Sequence, residues 1–409
     1  MTSHAPADRR RLEARPPLHR PRRRPSILRQ VPAKVARVQA ALRRLSRYIP
    51  RTQGQFEYLL KRLWIRWHVL SRLIAREAEW KVPFRSRQFR WWRHGFLSRS
   101  AIVYQLDRND PSLYVSDYRR YLRTRHMVHA RLQDIINNKL STHLLLQNLA
   151  IPTPPLFGVY YRGGVHLYPS ETRLEVPEYL AQLPVGERVF MKPLGGAEGK
   201  KLYSVHRVED GLRINRQHVD IETASRMITA ANRPLIIEDL VEQHPSQAEL
   251  YPETTNTLRL LTMIDLETHE PFIVIAVQRI GSAASGNVDN WTQGGLSARI
   301  DLETGTLSKA ARLPRGLELE WFSTHPDSGA AIEGSPVPHW PEVKDVVLRA
   351  ARAISFLEYV GWDVIVGPDG PVVLEANINS GMNVLQVHQP LLADPRVRAY
   401  LRERGAVRP

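Results

Sequence analysis

The chain has 409 residues, 43% hydrophobic and 24% charged, which suits a protein of two or three units with sizeable cores. It contains no cysteine, which excludes disulfide frameworks, thiolate zinc sites and cysteine nucleophiles. The net charge of +17 is unevenly spread: residues 1–130 hold 31 Lys and Arg against 8 Asp and Glu, the remainder 27 against 33.

No apolar run approaches the ~20 residues of a membrane span. The start of the chain is rich in Arg and Pro and lacks the apolar stretch of a secretory signal. A cytoplasmic protein is therefore expected, with the option of peripheral attachment at the inner face of the membrane. Residues 1–33 offer too little apolar surface to offset ordering entropy and predict a disordered tail. Residues 34–131 predict a basic helical region. In Tyr58–Arg76 the apolar residues Leu59, Leu60, Leu63, Trp64, Trp67, Leu70 and Ile74 recur at helical spacing, with arginines between them. Phe89-Arg90-Trp91-Trp92-Arg93 continues that habit. Such a segment predicts a packing lobe, or a surface for anionic membrane lipid. Without a helix-turn-helix, finger or RNP pattern, nucleic acid is set aside as a partner.

Beyond Arg131 the composition is that of a mixed helix and sheet protein. A helix is expected over Asp134–Asn148, stopped before Ile151-Pro152-Thr153-Pro154-Pro155. Strands are expected at Arg188–Pro193, Lys201–Val205, Leu235–Asp239, Thr257–Asp265 and Phe272–Arg279, and a long helix over Pro341–Tyr359. The last pair, Gly361–Val366 and Pro371–Ala376 around the turn Gly367-Pro368-Asp369-Gly370, predicts a hairpin.

That hairpin carries the clearest chemical signal. One carboxylate, Asp363, interrupts an apolar strand; Glu375 and Asn377 interrupt the next and share a face by alternation. Folding across the turn brings Asp363 roughly opposite them. Two carboxylates and an amide in one place are hard oxygen donors of the kind that hold Mg²⁺ beside phosphate. The rival reading is salt bridges from both carboxylates to arginine. A second feature is Lys192 at a strand end, followed by Gly195, Gly196 and Gly199, which can lay backbone N–H groups against phosphates. It fits neither the P-loop nor the dinucleotide fingerprint.

The order of these parts resembles the ATP-grasp superfamily. Leu374-Glu375-Ala376-Asn377 with Ser380-Gly381-Met382 looks like the metal-binding strand of D-alanine–D-alanine ligases. The stretches Asn256-Thr257-Leu258-Arg259, Gln278-Arg279-Ile280-Gly281, Val288-Asp289-Asn290-Trp291, Gly294-Gly295, His325-Pro326-Asp327 and Gly361-Trp362-Asp363 resemble the sugar-transfer-associated ATP-grasp proteins. The resemblance spans Asn137 to Pro390. It implies an α+β ATP-grasp fold, with one subdomain at 132–245 carrying a Gly-rich lid and adenine hinge, and a second at 246–409 carrying the metal-binding hairpin. ATP would lie between them with two Mg²⁺ ions, Mn²⁺ being an alternative.

Residue by residue, the resemblance makes Lys139 and Lys192 the nucleotide lysines and Gly195, Gly196 and Gly199 the lid. Glu238, Leu240 and Val241 belong to the hinge that reads adenine. Asp363, Glu375 and Asn377 become the metal ligands. Arg259 and Arg279 would face the γ-phosphate, and Asn290 with Gly294-Gly295 the acyl phosphate. Arginines in apolar strands need an anionic partner in any case, Lys139 could be an exposed helix residue, and Asn290 and His325 could simply shape loops. A clear ribose carboxylate is missing from the pattern.

The implied activity is an ATP- and Mg²⁺-dependent carboxylate–amine (or thiol) ligase acting through an acyl phosphate. Its substrates would be small-molecule or sugar-linked, in cell-surface polysaccharide synthesis. The alternatives are phosphoryl transfer to a sugar or lipid-linked hydroxyl, and a nucleotide-binding scaffold for glycosyltransferases.

Overall fold

The computed structural model describes residues 53–124, 127–195, 202–215, 217–286, 288–378 and 380–407, and the expected tail at 1–33 lies outside them. The chain divides between Ile65 and Arg66 into a short leading unit and a body of residues 66–409. The helix Gln53–Glu79 contains the predicted amphipathic stretch. Over its later turns Val69, Leu73 and Glu77, four apart, are buried, while Trp67, Leu70 and Ile74 are exposed. Buried Glu77 accepts from the Ser98 backbone N–H at 2.9 Å and lies 3.7 Å from Arg87. Short helices and 3₁₀ turns follow to Leu122. No described helix is long and apolar enough to cross a membrane.

Asn138 breaks the expected helix over Asp134–Asn148 in two. Its backbone is extended (φ −102°, ψ 111°), and its side chain accepts from the N–H groups of Leu140 and Ser141. This is an N-cap, which Asn provides well. One helix therefore runs Ala130–Asn137 and a second Lys139–Asn148. The new helix thus begins at Lys139.

Eight strands form a first sheet: β1 (Leu156–Tyr161), β2 (Gly164–Leu167), β3 (Arg173–Glu175), β4 (Arg188–Pro193), β5 (Tyr203–Val208), β6 (Gly211–Ile214), β7 (Gln217–Val219) and β8 (Leu235–Asp239). Their spatial order is β3-β2-β1-β8-β4-β5-β6-β7, every pairing antiparallel. Alternation assigns its faces. Val189, Met191, Leu235 and Ile237 pack with Leu180 and Ile228 from the helices Val176–Gln182 and Ile221–Thr229. The alternating residues of these strands, including Lys192 and Glu238, look out of the opposite face.

Seven strands form the second sheet: β9 (Leu258–Ile264), β10 (Pro271–Ile280), β11 (Leu296–Ile300), β12 (Leu307–Arg312), β13 (Glu320–Phe322), β14 (Tyr359–Gly367) and β15 (Gly370–Asn377), in the order β13-β12-β11-β10-β9-β14-β15. Both faces are covered. The helix Trp340–Ala353 lays Val343, Val347 and Ala350 against Leu258, Leu260, Trp362 and Val364. On the other side Leu261, Met263 and Tyr359 meet Tyr104, Leu385, Val397 and Tyr400. Each such aliphatic residue removed from water contributes about 1.5–3 kcal/mol. Every position of β14 is buried, so its one carboxylate must find charged partners inside the protein.

The long helix stops at Ala353, earlier than expected, and the chain enters β14 two residues before the predicted start. The sequence reading missed β1–β3, β6, β7 and β11–β13, most of them short strands at sheet margins.

Candidate active site

The register of the second sheet sets Arg259 of β9 beside Asp363 of β14, and Asp363 beside Glu375 of β15. Directly opposed residues on adjacent strands share a face, so this row points to one side of the sheet. A bulge at Leu374 makes the row possible: Asp363 pairs with Glu375, but Val364 pairs with Val373. Strict alternation would put Glu375 on the same face as Val373, which lies in the apolar core. The extra residue turns Glu375 and Asn377 out of the core, while Val373 and Ala376 stay in it.

Asp363 is 6% exposed and held on both oxygens. Arg259 donates from Nε to Oδ1, and from Nη2 to Oδ2 at 2.8 Å, a bidentate fork; Arg279 Nη2 lies 3.3 Å from Oδ2. Arg259 also donates to the Ser380 hydroxyl at 3.2 Å. Arg279 donates to Thr257 Oγ1 and approaches Asp289 Oδ2 at 3.5 Å, and Asp289 itself accepts from the Thr257 backbone at 3.0 Å. Burial pushes the Asp363 carboxyl up, but Arg259 and Arg279 outweigh it and hold it below the ordinary carboxylate range. Burial likewise opposes the Arg279 charge, and Asp289, Asp363 and Glu375 more than restore it.

Two lysines reach the same hairpin from other elements. Lys139 opens its helix, its backbone N–H donating to Leu194 O at 2.8 Å and its Nζ lying 3.2 Å from Glu375 Oε1. Lys192 Nζ sits 2.6 Å from Glu238 Oε2 and 3.5 Å from the Leu374 carbonyl. The other Glu238 oxygen is 3.2 Å from His143 Nδ1. Burial raises the Glu238 carboxyl, yet Lys192 and His143 prevail and lower it. The Glu238 side chain is thus engaged inside the protein, and the following Leu240 and Val241 lie outside β8.

Asn290 caps a 3₁₀ turn, accepting from the Thr292 N–H at 2.9 Å and its hydroxyl at 2.8 Å. Gly294 closes that turn at φ +116°, where a Cβ would also meet Arg315 Nη2 at 2.7 Å. His325 accepts from the N–H groups of Asp327 and Ser328 at 3.2 Å, and its Nε2 lies 2.8 Å from Gly281 O, so its ring serves a loop. Asn256 is likewise spent on backbone, bonding Gln247 O, Tyr251 O and the Gly281 N–H. Gly195 is the last described residue before the gap, and Gly196 and Gly199 lie outside the described residues.

The sequence reading passed over three contributors. His143 stands four residues after Lys139, hence on the same helix face, and that spacing was the available signal. Asp289 neighbours the chosen Asn290. Thr257, between Asn256 and Arg259, gave no signal of its own.

The donor set accepts a hard divalent cation under one condition. Each carboxylate here already meets a cation: Asp363 its arginines, Glu375 Lys139, and Glu238 Lys192. A bare Mg²⁺ would add charge beside guanidinium groups, whereas one carried on a triphosphate brings compensating negative charge. Glu375, its side chain 29% exposed, has oxygen capacity to spare for the ion, while the buried Nδ2 of Asn377, which has no partner among the described residues, is an N–H donor suited to a phosphate oxygen, leaving its amide oxygen for the metal. With Asp363 these residues fit the ion as part of a Mg·nucleotide.

Residues 119–398 match the family described as sugar-transfer associated ATP-grasp. Among solved structures the chain is similar to D-alanine–D-alanine ligase from Bacillus anthracis, at 16% identity over 66% of this chain and 69% of that one, TM-score 0.34. It is similar also to D-alanyl-alanine synthetase A from Vibrio cholerae, at 12% identity over 66% and 64%, TM-score 0.39. Biotin carboxylase from Campylobacter jejuni is 11% identical over 68% of this chain and 48% of that one, TM-score 0.38, so the chain spans about half the length of that enzyme. No curated protein matches the chain.

Proposed function

The chain belongs to the sugar-transfer-associated ATP-grasp family, and from that premise we propose that it is an ATP- and Mg²⁺-dependent ligase joining a carboxylate to an amine or thiol. The observation that carries this reading is the convergence on β15: Lys139 and Lys192, from two different elements, reach Glu375 and the Leu374 carbonyl beside it. Cations and oxygen donors interleaved this closely suit a triphosphate and its metal. Mg·ATP, when bound, would supply its γ-phosphoryl group to the substrate carboxylate with release of ADP, and the amine or thiol would then attack the acyl carbon and expel phosphate.

The side chains do the positioning. Lys139 and Lys192, now 3.2 Å from Glu375 and 2.6 Å from Glu238, would hold phosphate oxygens, and Glu375 and the Asn377 amide oxygen, with Asp363, would hold the metal. Arg259 and Arg279, fixed by Asp363, Ser380, Thr257 and Asp289, offer their remaining N–H groups to charge developing on the transferred phosphoryl. The backbone of Leu240 and Val241 supports adenine, and the loop at Asn290 and Gly294-Gly295 borders the acyl acceptor. The sugar-transfer association in the family description supports a sugar-linked substrate, and we place it in cell-surface polysaccharide synthesis.

The test is product analysis with Mg·ATP and candidate carboxylates. ADP and phosphate should appear only with both substrates, and hydroxylamine should trap a hydroxamate. A phosphorylated hydroxyl acceptor without phosphate release would overturn the ligase reading in favour of phosphoryl transfer.

A further inference from the structure

Away from the nucleotide residues, a cavity of about 590 Å³ opens among the later turns of the first helix, the segment 92–97, the helix Asp117–Leu122 and the C-terminal residues 405–407. Its lining includes Arg66, Arg93, Arg119 and Arg123, with His94 Nε2 accepting from Arg93 Nε at 3.0 Å, and no acidic side chain lines it among the described residues. Arg90 close by does find a carboxylate, Asp107, at 2.5 Å. Arg66, Arg93 and Arg123 have none within ion-pair distance among the described residues. The buried indole N–H of Trp92 has no acceptor among the described residues. Leu73, Phe96, Leu122 and Val407 make an apolar floor. On the same helix Trp67 is 68% exposed, and with Leu70 and Ile74 it forms an exposed apolar stripe.

We propose that this cavity binds the phosphate headgroup of an anionic lipid and so seats the protein on a bilayer surface. Arginines without internal anions supply the charge complement. A free phosphate would leave the leucine and phenylalanine floor without purpose, whereas the first carbons of acyl chains fill it. The Trp67-Leu70-Ile74 stripe then enters the interfacial layer, where indole rings are favoured. The acceptor chemistry of the active site is thereby held at the membrane.

The experiment is co-sedimentation of the full chain with phosphatidylcholine vesicles, with or without phosphatidic acid, near physiological salt. Wild type should partition onto the phosphatidic acid vesicles alone. Arg93→Gln/Arg123→Gln should lose at least about tenfold in partitioning, as two surface-facing cations imply. Arg162→Gln/Arg213→Gln, the same charge loss at exposed positions elsewhere, should lose under about twofold. Trp67→Ser/Ile74→Ser should also weaken binding, and it keeps the test decisive if the arginine variant misfolds. Equal losses in the two arginine pairs would overturn the proposal in favour of diffuse charge. Displacement by millimolar inorganic phosphate would overturn it in favour of a soluble ligand.

Discussion

Arginine plays opposite parts in two regions of this molecule. At the hairpin, Arg259 and Arg279 are mostly buried on strands, each held by carboxylates that the fold supplies. At the cavity in the basic region, Arg66, Arg93 and Arg123 stand without a carboxylate among the described residues. Solvent explains the difference. A guanidinium inside an apolar strand is tolerated only when paired, whereas one at a wet rim can remain unpaired at little cost. Internal pairing therefore marks a site organised before its ligand arrives, and unpaired cations mark a site completed by an outside anion.

Removing a cation from the paired region should cost most. Arg259→Met leaves Asp363 buried with Arg279 alone and should lower stability by about 3–5 kcal/mol, toward the lower end because Arg279 remains. Chemical denaturation reads this, and Arg259→Met/Asp363→Val should recover most of the loss. If the single variant is as stable as wild type, the pairing is not what holds the region. Next, Glu375→Gln removes the more exposed of the two hairpin carboxylates. Turnover should fall by about 10²–10³-fold, with the thermal midpoint nearly unchanged, since the Lys139 contact is partly solvated.

How much of this was legible beforehand differs between the same two regions. The hairpin could be read because a polar residue in an apolar strand is conspicuous, and because two such strands about a Pro-Asp-Gly turn must face each other. The bulge at Leu374 could not: it depends on Val373 and Ala376 both seeking the core, a tertiary demand that overrides alternation. Nor could the partition of partners, since Arg259 and Asp363 are 104 residues apart and meet only through sheet register. The break at Asn138 was visible in principle, as Asn followed by a helix-forming run is a capping signal. In the basic region, periodicity identified the helix but not which arginines would lack partners, because segment 92–97 and residues 405–407 close the cavity from distant parts of the chain.

Acid should separate the regions further. Lys192 and His143 hold the Glu238 carboxyl below its ordinary value despite burial. A depressed folded pKa gives stability that is fully present above the unfolded carboxylate value, about 4.3, and is lost as pH falls through the folded value. The stability difference between wild type and Glu238→Gln should therefore be constant near neutrality and shrink below about pH 4.3. A difference that stays flat into strong acid would remove the ion pair from the account.

The smallest effect belongs to the unpaired region and is the sharpest test of the contrast. Arg93→Gln/Arg123→Gln breaks no ion pair with a described residue, so its stability in the absence of lipid should stay within about 0.5 kcal/mol of wild type. Thermal and denaturant unfolding of the full chain measure this directly. A loss approaching that of Arg259→Met would mean that these arginines, too, are bound into the protein's own charge balance. The cavity would then belong with the hairpin as an internally satisfied site.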